Sequence, residues 1–181
     1  IAYTPDAGGS GAADGANTAT NTAEDAGYDL TLTATDAVTG MAGLTLYGGI
    51  SNIEQDSTQS QYDGDQEEHT YAIVYAAGGF TIGYQYSEED LGRSSTEQQY
   101  ENTGYGITFQ INDDLSVGYN NYESDQTNTA NVTAEAESLQ LAYTFGGASI
   151  RLAEASVDNS AYQTLASHDR DGTTLSVSLA F

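Results

Sequence analysis

Cysteine, tryptophan and lysine are absent from this 181-residue chain, and proline occurs once. Without cysteine there is no disulfide framework and no thiolate metal site. The only basic side chains besides histidine are Arg93, Arg151 and Arg170, set against a formal net charge of −24. Nucleic-acid binding relies on Lys and Arg meeting phosphates, so that class is excluded. Equally missing is any run approaching the roughly 20 apolar residues of a membrane-spanning helix. A helical inner-membrane protein is thereby excluded, but a barrel is not, since its strands need only about 9–11 residues each. Hydrophobic residues make up 38%, too few for a large oily core. Low hydrophobicity with high charge is a mark of disorder, but 14 tyrosines and a regular strand pattern oppose that reading. The chain opens without an initiator Met or signal peptide. Ile1–Pro5 reads as a strand end, and the expectation is the C-terminal part of a longer protein.

What is present is alternation. In the last nine residues Thr173, Leu175, Val177, Leu179 and Phe181 fall on one side of a strand, and Thr174, Ser176, Ser178 and Ala180 on the other, because successive strand side chains point to opposite faces. The pattern recurs upstream. Tyr28, Leu30 and Leu32 alternate with Asp29, Thr31 and Thr33; Phe80, Ile82, Tyr84 and Tyr86 with Thr81, Gly83 and Gln85. Ile107 and Phe109 alternate with Thr108 and Gln110, Val117 and Tyr119 with Gly118 and Asn120, and Leu139, Leu141 and Tyr143 with Gln140 and Ala142. Connections alternate too. Val38–Ala42, Ala77–Gly79, Asn112–Asp114 and Gly146–Gly147 are short, whereas 52–68, 87–101, 123–134 and 156–172 are long and mostly acidic. Residues 6–27, rich in Gly, Ala, Asn and Thr, read as a further long external loop.

Gly within the periodic segments, and their β-branched and aromatic content, argue against helices. A soluble β-sandwich also has alternating strands, but its turns need not alternate in length and its inward face is bulkier. Here the polar face is Thr, Ser, Gly, Gln and Asn, which suits a water-filled interior, with aromatics such as Tyr75, Phe80, Tyr143 and Phe145 near strand ends. The expected fold is therefore all-β: a transmembrane antiparallel β-barrel forming a single domain over residues 1–181, with short turns on the periplasmic side and long loops outside. On this reading Arg151, Asp29, Thr81, Gln85, Thr108, Gln110, Asn120 and Gln140 line a pore. The expected activity is passive diffusion of small hydrophilic solutes and ions across a bacterial outer membrane, with a negative potential at the mouth and modest cation preference. The alternatives are a smaller closed barrel acting as adhesin or receptor surface, and a soluble acidic secreted β-domain.

The segments Tyr71–Tyr84 and Leu139–Ala148 and the ending Gly172–Phe181 resemble hairpins and the terminal strand of alphaproteobacterial, Rhodobacter-type general porins. That resemblance implies a sixteen-stranded barrel, of which this chain would be about the last ten strands, assembled as a homotrimer in outer-membrane lipid and lipopolysaccharide. It also implies that Leu175, Val177, Leu179 and the terminal Phe181 form the signal read by the barrel-assembly machinery. Two departures stand out: the family's inward-folded constriction loop would lie upstream, and of its basic wall only Arg151 has a counterpart on a pore face.

Arg151 has two readings, a pore-lining charge that sets a transverse field or an Arg paired with a neighbouring carboxylate. Asp63, Asp65, Glu67 and Glu68 supply hard oxygen ligands at a spacing suited to Ca²⁺, without the full calcium-loop pattern; a solvated acidic loop is the plainer expectation. No other cofactor is expected. Catalysis has no support: the carboxylates sit on loops without a shielded pocket, His69 and His168 stand near loop edges, and neither a nucleophile elbow nor a phosphate loop ending in Lys is present. Asn131-Val132-Thr133 matches a glycosylation sequon by chance.

Overall fold

The structure, a computed structural model, describes residues 1–5, 24–55, 64–93, 99–127 and 132–179. Ten strands form one sheet in strict chain order, every neighbour antiparallel. They are β1 (Ala2–Thr4), β2 (Glu24–Ala34), β3 (Leu44–Gln55), β4 (Gln66–Ala77), β5 (Phe80–Asp90), β6 (Gln99–Gln110), β7 (Leu115–Thr127), β8 (Val132–Phe145), β9 (Ala148–Asp158) and β10 (Arg170–Leu179). β1 and β10 are the two edges; the described residues show no pairing between them. The meander leaves one layer, not the two a sandwich needs. No described helix is long and apolar enough to cross a membrane, which says nothing of strands.

The short connections follow from local chemistry. In the β4–β5 and β8–β9 turns the paired glycines take positive φ, 57° and 85° at Gly78 and Gly79, and 50° and 85° at Gly146 and Gly147. That backbone twist matches the twist of the flanking strands. Between β6 and β7 the Asn112 side chain turns the chain, its Oδ1 accepting from the amides of Asp114 (2.9 Å) and Leu115 (3.0 Å). The β2–β3 connection, expected as a simple turn, contains one helical turn over Asp36–Thr39, closed by Gly40 at φ 72°.

The long connections are shorter than the sequence suggested. Residues 24–27 belong to β2, so the expected 6–27 loop ends earlier. Likewise Asn52–Gln55 extends β3, Gln66–Glu68 opens β4, Ser87–Asp90 extends β5 and Glu123–Thr127 extends β7. The cause is the antiparallel ladder. Backbone pairing continues wherever two chains remain side by side, whether or not the side chains alternate in polarity. One irregularity interrupts it, a bulge between Glu24 and Gly27.

Among the described residues Ile53 is the only buried hydrophobic side chain. Leu139, Leu141, Ile107 and Leu175 are 56%, 42%, 41% and 67% exposed. These side chains do not meet in a dry interior; they stand together on one open face.

Candidate solute-facing surface

Directly paired residues share a face, so the register sorts every strand residue. One face carries a band of Leu, Ile, Val, Phe and Tyr; the row Phe80–Phe109–Val117–Leu141–Leu152–Leu175 crosses it. Aromatics border the band on both sides. Towards the short turns Phe80 stacks on Phe109 (4.2 Å between ring centres) and Tyr143 on Phe145 (5.5 Å). Towards the long connections Tyr71 stacks on Tyr86 (5.1 Å), and Tyr105 meets Tyr119 (6.4 Å).

The opposite face is polar and built of small residues. All eight residues expected to line a pore lie on it: Asp29, Thr81, Gln85, Thr108, Gln110, Asn120, Gln140 and Arg151. Thr81 and Thr108 are direct partners, and Gln140 Nε2 donates to Asn120 Oδ1 at 3.0 Å. Gly118 stands between Thr108 and Gln140, where a Cβ would sit 3.0 Å from the Thr108 methyl. Arg151 is exposed, opposite Ser176 and Ala142. It has no carboxylate partner among the described residues, whose one ion pair is His69–Glu88 at 3.3 Å. A groove of about 390 Å³ runs past it between Thr108, Gln140 and Ser176.

Nearer the long connections the same face turns acidic. Asp29, Ser51, Glu68 and Glu89 form one cross-strand row along a groove of about 520 Å³. Gln66 Nε2 bridges Glu68 Oε1 (3.3 Å) and Glu89 Oε1 (3.1 Å). Burial, then the adjacent Glu68 charge, raises the Glu89 pKa above the ordinary value, and the Gln66 hydrogen bond opposes the shift in part.

The residues considered for Ca²⁺ do not converge. Glu67 and Glu68 point to opposite faces of β4, and Asp65 Oδ1 accepts the Gln55 amide at 3.2 Å. Asp63 lies outside the described residues. No three described His, Asp or Glu side chains gather closely enough to hold a metal ion. His69, expected at a loop edge, sits within β4 on the face of Leu30 and Ile50. Of the residues expected to form an assembly signal, Leu175, Val177 and Leu179 are exposed on the apolar face of β10; Phe181 lies outside the described residues.

Two features escaped the sequence reading. Most strand carboxylates lie not on the polar face but on the apolar one, beyond its tyrosine border. Glu123, Glu135 and Asp158 are direct partners in one row, and Glu88, Glu101 and Asp125 in the next. Strand parity could have shown this, since Glu135 and Glu137 are in phase with Leu139. The second is the β9–β10 connection, which folds back over the polar face. Asn159, Ala161 and Tyr162 take positive φ of 52°, 58° and 55°, the described non-glycine residues that do so. Tyr162 thereby lies against Tyr100 (5.6 Å), its hydroxyl 2.7 Å from Ser124 Oγ. Ser160 Oγ donates to the His168 carbonyl.

The fold and its faces thus define an all-β protein built as one up-and-down antiparallel sheet, apolar on one side and polar on the other. Among known proteins no family model and no curated relative matches the chain.

Proposed function

We propose that this sheet is part of the wall of a bacterial outer-membrane diffusion channel of the general porin type, its apolar face against lipid and its polar face against water. One observation carries the reading: an exposed apolar band with aromatic borders backs directly onto a face of Thr, Gly, Gln, Asn and Arg. A soluble protein rarely leaves so large an apolar surface open, whereas a membrane barrel requires this alternation. The intact barrel has about sixteen strands, closes through strands beyond β1 and β10, and assembles as a trimer through the barrel-assembly machinery. Small residues on the polar face favour an open lumen over an adhesin plugged by its own side chains.

Asp29, Glu68 and Glu89 at the acidic end outnumber Arg151 at mid-wall and Arg170 on β10, so permeation favours cations. In a planar bilayer under a salt gradient the protein is expected to give stepwise conductance with a cation-selective reversal potential. Arg151→Glu is expected to move that potential further in the same direction. Absence of conductance removes the channel reading; clear anion preference in the intact protein removes the selectivity.

A further inference from the structure

Between the acidic row and Arg151 the polar face carries a groove of about 310 Å³ that the charge pattern does not explain. Its floor is Gly83, Gly104 and Gly106 and its polar walls are Gln85, Asn120 and Tyr122. From β2 to β8 the two cross-strand rows that build it, Thr33 to Ala136 and Thr45 to Ser138, contain no charged side chain; the first continues through Val157 to Arg170 on the edge strand, three strands from Tyr122. Glu89 stands four residues along β5 from Gln85, roughly 13 Å at strand rise and beyond a Debye length in physiological salt. Arg151 lies two strands across from Asn120 and two rows away.

The wall groups have capacity to spare. The Gln85 amide makes no hydrogen bond to any described residue. Asn120 uses its Oδ1 for Gln140 and keeps its Nδ2 free. The Tyr122 hydroxyl makes no hydrogen bond to a described residue, though the Tyr162 phenol lies within electrostatic reach, and its half-exposed ring lies over Gly104, 3.4 Å from where a Cβ would stand. Planar amides, an aromatic face and a glycine floor in an uncharged setting are poor at holding ions. They suit a ring that is apolar on its C–H face and hydroxylated at its rim: the aromatic takes the first, and amides and phenol take the second. Glycine floors mark places where something approaches the backbone closely.

We propose that this groove is a subsite for the ring of a neutral polyhydroxylated solute, a sugar, with Tyr122 as stacking platform and Gln85 and Asn120 as hydroxyl partners. The inference rests on the channel reading for its purpose, not for its geometry. It makes the wall selective among uncharged solutes at a level where it is indifferent to ions.

The test is a titration of the detergent-refolded protein, labelled on its tyrosine rings, with methyl glucoside, an uncharged pyranose. Sodium glutamate serves as the charged control, and Tyr122→Phe assigns the signal. Tyr122 ring resonances are expected to move saturably with the glucoside and not with glutamate. Gly83→Ala/Gly106→Ala fills the floor without a clash, the added Cβ atoms meeting nothing closer than 3.5 Å. It should raise the midpoint about tenfold while leaving the spectrum otherwise folded. No saturable shift, an equal response to glutamate, or a midpoint unmoved in the glycine variant overturns the subsite. Conductance measured on the same preparation separates the two readings. Conduction without glucoside binding removes the subsite alone, and binding without conduction removes the channel alone.

Discussion

Leu141 and Gln140 are adjacent in β8 and point to opposite faces, so the same substitution at each isolates what lies on either side. Leu141 is 42% exposed. Complete burial of a leucine stabilises by about 1.5–3 kcal/mol, so on the channel reading lipid cover over the remaining surface contributes about 1 kcal/mol, which Arg forfeits. An arginine on the lipid face near the bilayer centre adds about 2–4 kcal/mol. Leu141→Arg should therefore lower folding stability in vesicles by about 3–5 kcal/mol. Gln140→Arg loses one exposed hydrogen bond, to Asn120, for about 1 kcal/mol, because its new charge meets water. The gap of about 3 kcal/mol is over a hundredfold in the folding constant, well within reach of urea titrations in large unilamellar vesicles. Equal costs at the two positions, or a larger cost at Gln140, would refute the assignment of lipid to the leucine side. So would a wild-type protein that stays folded and monodisperse in water without detergent.

Glu89 lies beyond the apolar band, and its raised pKa makes a signed prediction. A carboxyl whose folded pKa exceeds the unfolded value costs stability where it is charged; the cost starts to shrink as pH falls through the folded pKa and is gone below the unfolded one. Glu89→Gln should thus raise the urea midpoint at neutral pH, with the advantage shrinking as pH falls towards the ordinary carboxylate range; a pH-independent difference would contradict it. Two glycines in the β2–β3 connection should respond differently to alanine. At Gly40, φ 72° with open space around it, the cost is about 1–2 kcal/mol of backbone strain. At Gly43, φ 80°, the new Cβ would stand 2.0 Å from the Ala76 carbonyl oxygen and disrupt the 2.9 Å bond from the Ala76 amide. The expected loss there is about 3 kcal/mol or more, and equal melting of the two variants would refute the contact.

Much of this was legible because a strand has only two faces. Placing Leu139 on one of them places Gln140 on the other, and all eight residues expected to line a pore share the polar face. Strand ends were misjudged because alternation reports which side is apolar, whereas the ladder depends on backbone proximity. Hence Ser87–Asp90 and Glu123–Thr127 looked like loops and proved to be strand. Tyr162 could not have been anticipated. Its position depends on left-handed backbone at Asn159, Ala161 and Tyr162, held by non-local bonds such as Asn159 Nδ2 to the Thr133 carbonyl at 3.0 Å. The groove over Gly83 and Gly106 needed the register that brings those two glycines face to face across β5 and β6.

With the apolar face against lipid, as proposed, the carboxylates above the tyrosine border would act as a waterline. Shifting the sheet two residues deeper, roughly 7 Å, would carry Glu123, Glu135 and Asp158 towards hydrocarbon together, so immersion depth is fixed from above as firmly as the leucines fix it from below. On the same reading the girdle would make neighbouring trimers repel sideways. How densely such a protein can crowd its membrane is then governed by the salt in the surrounding medium, tightening as ions screen the rims and loosening as they are diluted.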